Sequence, residues 1–323
     1  MILDDIKNYP KQFEYEPAIE NVGKLKKSKK FIVCGMGGSH LAANIIKAWH
    51  PELDIIVWSN YGLPPLSDAE LKERLIIVSS YSGGTEEAID AFNTAKTKKL
   101  NFAAIASHGK LIALAEKNKV PYVRMPDLHQ QPRMATGLSL MAMLTLIGER
   151  LLLGEAKALA IQLHPSREEH RGKDLAKRLH DGVPIIYASA RNAAIAQNWK
   201  IKFNETGKIP AFFNVAPELN HNEMTGFDAK TKTLPLSRHF HFVFLKDGAD
   251  DPRIIKRMSA MEKLFKDRGF KVEVIFLQGQ NEIHKIFNAL ILADWTAYHT
   301  AKLYGVDPEQ VPMVEEFKKR ISR

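Results

Sequence analysis

Short apolar runs recur along the chain, and stretches with helical spacing separate them. In the first half the runs are FIVCG, DIIVWS, LIIVSS, FAAIAS and YVRMP, and in the second half they are VPIIYAS, PAFFN, RHFHFVFLKD and KVEVIFL. The runs of the first half are apolar almost throughout rather than alternating with polar residues, which is typical of strands in a parallel sheet buried on both faces. The pattern therefore predicts an α/β fold, with two successive βα arrays of similar size.

The two arrays and the length together predict two domains. A chain of 323 residues has room for two domains of about 150 residues each. We place the first at 1–153, with its N-terminal segment, and the second at 154–323, with its C-terminal helices. A long helical stretch at 137–153 would end the first domain, and the charged, partly helical segment at 167–182 would connect the two.

Composition narrows the class of protein. Apolar residues make up 45% and charged residues 26% of the chain, and 46 Lys and Arg against 37 Asp and Glu give a net charge of +9. Such a charge favours anionic partners, namely nucleic acid, an acidic membrane surface or phosphorylated metabolites. The single cysteine, Cys34, excludes an internal disulfide framework and a cysteine-cluster metal site. An acidic N-terminus without an apolar core, and the lack of a membrane-length apolar run, predict a soluble, cytoplasmic protein.

A glycine–serine loop follows the first apolar run. Gly35, Gly37, Gly38 and Ser39 stand between a predicted strand and a predicted helix. Glycines let the backbone approach a ligand, and the N–H groups of a helix N-terminus favour an anion. A dinucleotide fingerprint is one alternative, but His40 takes the place of its third glycine and no acidic residue ends the next strand. A tight turn without a ligand is the other.

The loop at 78–90, VSSYSGGTEEAID, carries more hydroxyl groups than a helix start requires. The hydroxyl side chains are those of Ser79, Ser80, Ser82 and Thr85. One Ser or Thr is enough to cap a helix, so the excess indicates a phosphate with several oxygens to bind. The P-loop lysine is missing, which argues against nucleoside triphosphate hydrolysis.

This loop resembles the S-x-S-G-x-T loop that binds sugar phosphates in the sugar isomerase (SIS) domain family. Further segments are QPRMA at 131–135, NETGKIPAFFN at 204–214, PELNHNE at 217–223 and KLYGVDPEQVPMVEEFKKRI near the C-terminus. Together they resemble the bifunctional phosphoglucose/phosphomannose isomerases of archaea and bacteria, from residue 31 to residue 321. The resemblance implies two SIS-type domains, each a mainly parallel sheet flanked by helices, and a homodimer with a shared active site.

The resemblance also implies roles for individual residues. Glu205 matches the base that moves a proton between C1 and C2, and Arg133 matches the arginine that stabilises the enediolate. His221 matches the ring-opening histidine, which the neighbouring subunit donates, and Lys302 matches a lysine that assists ring opening. The residues that would hold the substrate phosphate are Gly37, Gly38, Ser39, Ser80, Ser82 and Thr85.

The implied activity is aldose–ketose isomerisation of hexose 6-phosphates through a cis-enediolate, without a metal or any other cofactor. A sugar-phosphate-binding SIS protein without turnover, and an SIS isomerase of another phosphosugar, are the alternatives. Two departures from the family pattern bear on the choice. Gly84 replaces an Asn of the loop, and Trp295, followed by Thr296, stands where the family has the Thr or Gln tied to mannose activity.

Two other features are interpreted as structural. His239 and His241 would lie on one face of a strand, a spacing that can bind a metal, but no third ligand lies nearby in the sequence, so strand packing or exposure is our interpretation. The basic stretches KLKKSKK and FKKRISR have few aromatic neighbours, and we interpret them as solvated faces. We therefore expect neither a nucleic-acid nor a membrane partner.

Overall fold

The computed structural model describes residues 2–228 and 232–321, so the last two residues of the C-terminal basic stretch lie outside the described part. The described chain forms two compact units. The N-terminal unit comprises residues 7–164, and the C-terminal unit comprises residues 165–321 together with residues 2–6.

Up to residue 164, strands and helices alternate along most of the chain. They are α1 (Ile2–Lys7), β1 (Ile19–Glu20), β2 (Lys30–Cys34), α2 (Gly38–Trp49), β3 (Asp54–Trp58), α3 (Asp68–Lys72), β4 (Leu75–Ser79), α4 (Glu86–Thr97), β5 (Phe102–Ala106), α5 (Gly109–Asn118), β6 (Tyr122–Arg124), α6 (Thr136–Ile147) and α7 (Arg150–Gln162). Short 3-10 turns lie at Tyr9–Glu14, Val22–Lys24 and Pro132–Met134.

The described strands of the N-terminal unit form one sheet in the order β1-β6-β5-β4-β2-β3. All neighbours are parallel except the short β1, which runs antiparallel to β6. From β2 the chain crosses to β3 on one side, and from β4 it crosses to β5 on the other side. The strands β2 and β4 are neighbours, and the connections that follow them run in opposite directions from the carboxyl edge of the sheet. Open α/β sheets bind ligands at such a point.

The C-terminal unit repeats this plan on a smaller sheet. Its further elements are α8 (Pro165–Arg178), β7 (Val183–Ser189), α9 (Ala193–Lys202), β8 (Phe212–Ala216), α10 (Glu223–Gly226), α11 (Leu234–Ser237), β9 (Phe240–Lys246), α12 (Pro252–Asp267), β10 (Lys271–Phe276), α13 (Glu282–Tyr304) and α14 (Pro312–Ile321). A π-helical segment, Phe203–Gly207, continues α9, and a 3-10 turn, Glu218–Asn220, follows β8. The sheet has the order β10-β9-β7-β8 and is parallel in its described strands.

The α/β prediction with mainly parallel sheets is confirmed. Helix α7 packs on residues 9–14 and on α6, so it belongs to the compact N-terminal unit, which extends to residue 164. The domain bounds 1–153 and 154–323 stay a prediction. Most of the charged segment at 167–182 forms α8, which packs on α13. The helix expected at 137–153 is two helices, because Gly148 ends α6 in the left-handed conformation.

Among the described residues, no helix is both long and apolar enough to cross a membrane.

Candidate active site

The two glycine–hydroxyl loops of the sequence analysis meet at the carboxyl edge of the N-terminal sheet. The first loop links β2 to α2, and the second links β4 to α4. The hydroxyl of Ser39 accepts a hydrogen bond from the backbone N–H of Tyr81 at 3.0 Å, and Ser79 donates to the carbonyl oxygen of Ser39 at 2.9 Å. Ser39 is buried. It therefore joins the two loops, and Ser79, one of the hydroxyl residues of the second loop, is its partner.

The hydroxyl groups of the second loop are arranged around the start of α4. Thr85 stands at the N-cap of α4, but its hydroxyl lies 2.8 Å from that of Ser80 and does not cap the helix. Ser82 is exposed, and its hydroxyl accepts a weak hydrogen bond from the N–H of Gly84 at 3.4 Å. The first N–H groups of α4 are thus left for another acceptor, which is the condition for anion binding at a helix N-terminus.

Arg133 lies beside the first loop in the same unit. The 3-10 turn that carries it packs on the start of α2 because Gly38 has no side chain: a Cβ there would lie 2.8 Å from the carbonyl oxygen of Pro132. The side chain of Arg133 is 1% exposed and donates to Gln131 Oε1 at 3.3 Å. A buried guanidinium next to a cluster of hydroxyl and N–H donors makes this edge of the sheet electropositive.

Gly83 shapes the second loop, and we expect Gly83→Ala to disrupt it. Gly83 has a φ of +65°, and a Cβ there would lie 1.8 Å from the carbonyl oxygen of His108. The loop must shift, so the KM for a phosphosugar and the Ki for inorganic phosphate should both rise about tenfold or more, which corresponds to about 1.4 kcal/mol.

The adjacent glycine supplies a matched control. A Cβ on Gly84 would meet only the Ser82 hydroxyl, at 3.9 Å. Gly84→Ala should therefore leave both constants within about twofold of the wild-type values, since substitutions away from strained sites change stability by about 0.5 kcal/mol or less. Equal effects at the two glycines would show that the geometry of this loop does not control phosphate binding.

Glu205 lies in the π-helical segment that continues α9. The apolar spacing of AAIAQNWKIKFNE at 193–205 is typical of a regular helix, whereas the structure is π-helical from Phe203 to Gly207. π-Helical turns are rare and are frequent at functional sites. The segment packs on α13, since a Cβ on Gly207 would lie 3.6 Å from both Ala297 and Thr300. Glu205 is half-buried, and its carbonyl oxygen accepts a hydrogen bond from Lys208 Nζ at 2.5 Å.

A buried ion pair lies where the π-helical segment begins. Lys202, the last residue of α9, lies 2.6 Å from Asp294 of α13, and both side chains are 1% exposed. Breaking such a pair leaves an uncompensated buried charge, which costs about 3–5 kcal/mol. The sequence analysis missed this pair. The only signal for it is that each residue interrupts an apolar helix face.

His221 and Lys302 are exposed residues of the C-terminal unit. His221 ends the 3-10 turn after β8, and its backbone N–H donates to the carbonyl oxygen of Glu218 at 2.9 Å. Lys302 lies in the last turn of α13, with its Nζ 5.6 Å from the centre of the Tyr298 ring. The part of α13 that contacts the π-helical segment is the face of Ala297 and Thr300, not that of Lys302.

Glu205 and His221 stand at opposite edges of the C-terminal sheet. Helix α9 returns from the carboxyl edge to the amino edge, where the Glu205 segment lies, and β8 then runs back to the carboxyl edge, where His221 lies. The five residues of β8 span about 16 Å at ~3.3 Å per residue. The backbone positions of the two residues are therefore separated by about the length of this strand.

The residues at the position that the family links to mannose activity are used in helix packing. Trp295 is fully buried, donates from Nε1 to the carbonyl oxygen of Pro165 at 2.8 Å, and contacts Gly172 of α8. Thr296 is also fully buried and donates to the carbonyl oxygen of Leu292 at 2.7 Å. The Trp295 side chain thus serves the contact between α8 and α13, and the Thr296 hydroxyl bonds within α13.

The histidine pair and the cysteine have structural surroundings. His239 is exposed and precedes β9, whereas His241 is 2% exposed, and burial lowers its pKa to about 4. Cys34 is buried at the end of β2, and burial raises the pKa of its thiol to about 12. Within residues 2–228 and 232–321, no group of three or more His, Cys, Asp or Glu side chains is arranged to hold a metal ion.

The fold defines the class of protein first. Residues 168–321 match the model of the bacterial phospho-glucose isomerase C-terminal SIS domain. The tagatose-6-phosphate ketose/aldose isomerase of Escherichia coli has the same fold, with a TM-score of 0.68 at 14% identity, over 95% of this chain and 94% of that one. The chain is thus an SIS-fold protein.

Sequence similarity then defines the family. The bifunctional phosphoglucose/phosphomannose isomerase of Thermoplasma volcanium is 32% identical over 304 residues, which cover 93% of both chains. That of Caldicellulosiruptor bescii is 31% identical over 342 residues, which cover 99% of both. The chain belongs to the bifunctional phosphoglucose/phosphomannose isomerase family, and the resemblance drawn from its motifs is confirmed.

Proposed function

We propose that the protein is an aldose–ketose isomerase that interconverts glucose 6-phosphate and fructose 6-phosphate. The observation that carries the proposal is the pair of loops at the carboxyl edge of the N-terminal sheet, with its cluster of hydroxyl and N–H donors beside buried Arg133. This arrangement suits a phosphate dianion, and membership in the family supports the reaction. Mannose 6-phosphate is the second substrate that the names of the relatives suggest.

The proposed mechanism assigns one task to each group. The phosphate binds the two loops, and His221 moves the proton that opens the sugar ring. The Glu205 carboxylate then takes a proton from C1 of the ketose, the C–H electron pair forms the C1–C2 double bond, and the carbonyl oxygen O2 becomes an oxyanion. A hydroxyl proton passes from O1 to O2, and protonated Glu205 returns its proton to C2, which leaves the aldehyde at C1.

The chemistry of the side chains suits these tasks. A positioned carboxylate is a competent base for a carbon acid beside a carbonyl group. A guanidinium such as that of Arg133 keeps its proton at every working pH and stabilises the developing enediolate charge. An imidazole titrates near neutral pH and can both take and give the ring proton. The mechanism needs no metal ion and no other cofactor.

We further propose a homodimer in which the His221 of one chain serves the site of the other. The separation of Glu205 and His221 along β8 supports this assignment. His221 is exposed at the carboxyl edge, where a second chain can approach it. The role of Lys302 in ring opening stays a prediction, since its described contact is with Tyr298.

A coupled assay on the purified protein tests the proposed function. The protein is treated with EDTA and given fructose 6-phosphate, and the formation of glucose 6-phosphate and of mannose 6-phosphate is followed separately. Formation of glucose 6-phosphate supports the proposal, and formation of both products extends it to mannose. If neither product forms while fructose 6-phosphate binds tightly, the protein is a sugar-phosphate-binding protein or an isomerase of another phosphosugar.

A further inference from the structure

A polar network centres on Glu223, two residues after His221 in the chain. Tyr187, in the middle of β7, donates from its hydroxyl to Glu223 Oε1 at 2.6 Å. The other carboxylate oxygen of Glu223 accepts a short hydrogen bond from the side-chain amide of Asn214 in β8. Tyr187 and Asn214 are register partners in the sheet, so two neighbouring strands present their donors to one carboxylate.

The network is rigid at its base. Tyr187 is 0% exposed, and its ring packs against Phe242 at 5.7 Å and against Phe244 at 5.5 Å. Burial, followed by the hydrogen bond to Glu223, raises the pKa of Tyr187 far above its ordinary value, so the hydroxyl remains a donor to the carboxylate. A hydrogen bond to an ionised acceptor is about twice as strong as one between neutral groups.

Glu223 begins α10 two residues after His221, and the turn between them is held at both ends. The side chain of Asn222 accepts from the N–H of Glu223 at 2.5 Å and donates to Glu218 Oε1 at 3.0 Å. The N–H of His221 bonds the carbonyl oxygen of the same Glu218. The backbone that carries His221 is therefore fixed to the preceding 3-10 turn on one side and, through Glu223, to the sheet on the other.

We propose that Tyr187, acting through Glu223, is a positioning residue that orients the imidazole of His221 toward the sugar ring. The inference rests on the proposed function, because it requires that His221 opens the ring. A phenylalanine would pack in the aromatic cluster as well as a tyrosine does. The hydroxyl is accounted for by its bond to Glu223, whose carboxylate also bonds Asn214 of β8 and whose N–H bonds Asn222, next to His221.

Tyr187→Phe removes this hydroxyl and leaves the ring in place. We expect kcat for fructose 6-phosphate to fall about tenfold. This loss is smaller than the 10²- to 10⁴-fold that a positioned acid–base group contributes, because His221 itself remains. The KM should stay within about twofold, because the phosphate loops lie in the other unit. Tyr122→Phe is the matched control: it also removes a tyrosine–glutamate hydrogen bond, that of Tyr122 to Glu116 at 3.2 Å, and should leave kcat unchanged.

A double-mutant cycle separates positioning from general stability. In a His221→Ala background, Tyr187→Phe should have no further effect on kcat, because there is no imidazole left to orient. If Tyr187→Phe lowers kcat equally in both backgrounds, or has no effect in the wild-type background, the inference is overturned. The melting temperatures of the wild type, the two single variants and the double variant show whether a loss of kcat results from unfolding instead.

An open-chain substrate gives a second readout. 5-Deoxyfructose 6-phosphate lacks the hydroxyl that closes the furanose ring, so exchange of its C1 hydrogen with deuterated solvent requires the base but not ring opening. Tyr187→Phe should leave this exchange unchanged, and a parallel tenfold loss would overturn the inference. Glu205→Gln should abolish the exchange. If it does not, the assignment of Glu205 as the catalytic base in the proposed function is wrong, whatever the result for Tyr187.

Discussion

Glu205→Gln is expected to lower kcat for fructose 6-phosphate by about 10²- to 10⁴-fold, the contribution of a positioned acid–base group. The amide keeps the shape of the side chain but cannot take a proton from C1. The phosphate loops and Arg133 belong to the N-terminal unit and are unchanged by this substitution. The dissociation constant for fructose 6-phosphate, measured by calorimetry, should therefore stay within about twofold of the wild-type value, since substitutions that leave the binding contacts intact change free energies by ~0.5 kcal/mol or less.

A second carboxylate of the same unit provides the control. Glu273 of β10 pairs with Arg178 at 2.9 Å on the surface. Exposed ion pairs contribute about 0–1 kcal/mol, so Glu273→Gln should change neither kcat nor binding. If Glu205→Gln keeps near wild-type turnover, the base is another group. If it instead loses binding along with turnover, Glu205 acts in binding rather than in proton transfer.

Mixing two impaired variants should restore activity. The Glu205→Gln and His221→Ala proteins each lack one group at every site, but a mixed dimer contains one site with an intact Glu205 from one chain and an intact His221 from the other. Random exchange makes half of the dimers mixed, with one of two sites intact in each. The recovered activity should approach about one quarter of the wild-type value in a symmetric dimer.

The measurement is the coupled assay after subunit exchange by dilution from mild denaturant. Each variant taken through the exchange alone is the control and should stay inactive. Mixtures that gain nothing, although a tagged and an untagged chain are shown to co-purify, would mean that each chain supplies its own His221. The separation of the two residues along β8 would then need another explanation.

The two glycine–hydroxyl loops could be singled out from the sequence because their chemistry is local. Four hydroxyl groups exceed the need of one helix cap, and the excess points to a ligand before any fold is known. The parallel sheets could be predicted for a similar reason, since apolar runs reflect burial on both faces. What the sequence did not reveal is that Ser39 joins the loops through Tyr81, because that hydrogen bond links residues 42 positions apart.

The C-terminal part of the candidate site depended on geometry that spacing does not encode. The π-helical segment that carries Glu205 packs on α13 and follows the buried pair of Lys202 and Asp294, and those partners lie far apart in the chain. Likewise, Tyr187 and Glu223 are 36 positions apart and meet only because β7 and β8 are neighbours. Tyr187 belongs to no motif that would single it out, and the segment PELNHNE, which contains Glu223, does not reveal its partner.

The placement of α1 also determines the order in which the chain can fold during synthesis. Ile2 and Ile6 are at most 2% exposed, and the N–H of Ile2 donates to Glu309 at 3.0 Å, so α1 is buried only when residues near 309 are present. About 300 residues are synthesised in between, which at about 5–20 residues per second takes on the order of fifteen to sixty seconds. During that interval α1 is an exposed amphipathic segment, open to chaperones, and a fragment that begins after residue 164 would lack it altogether.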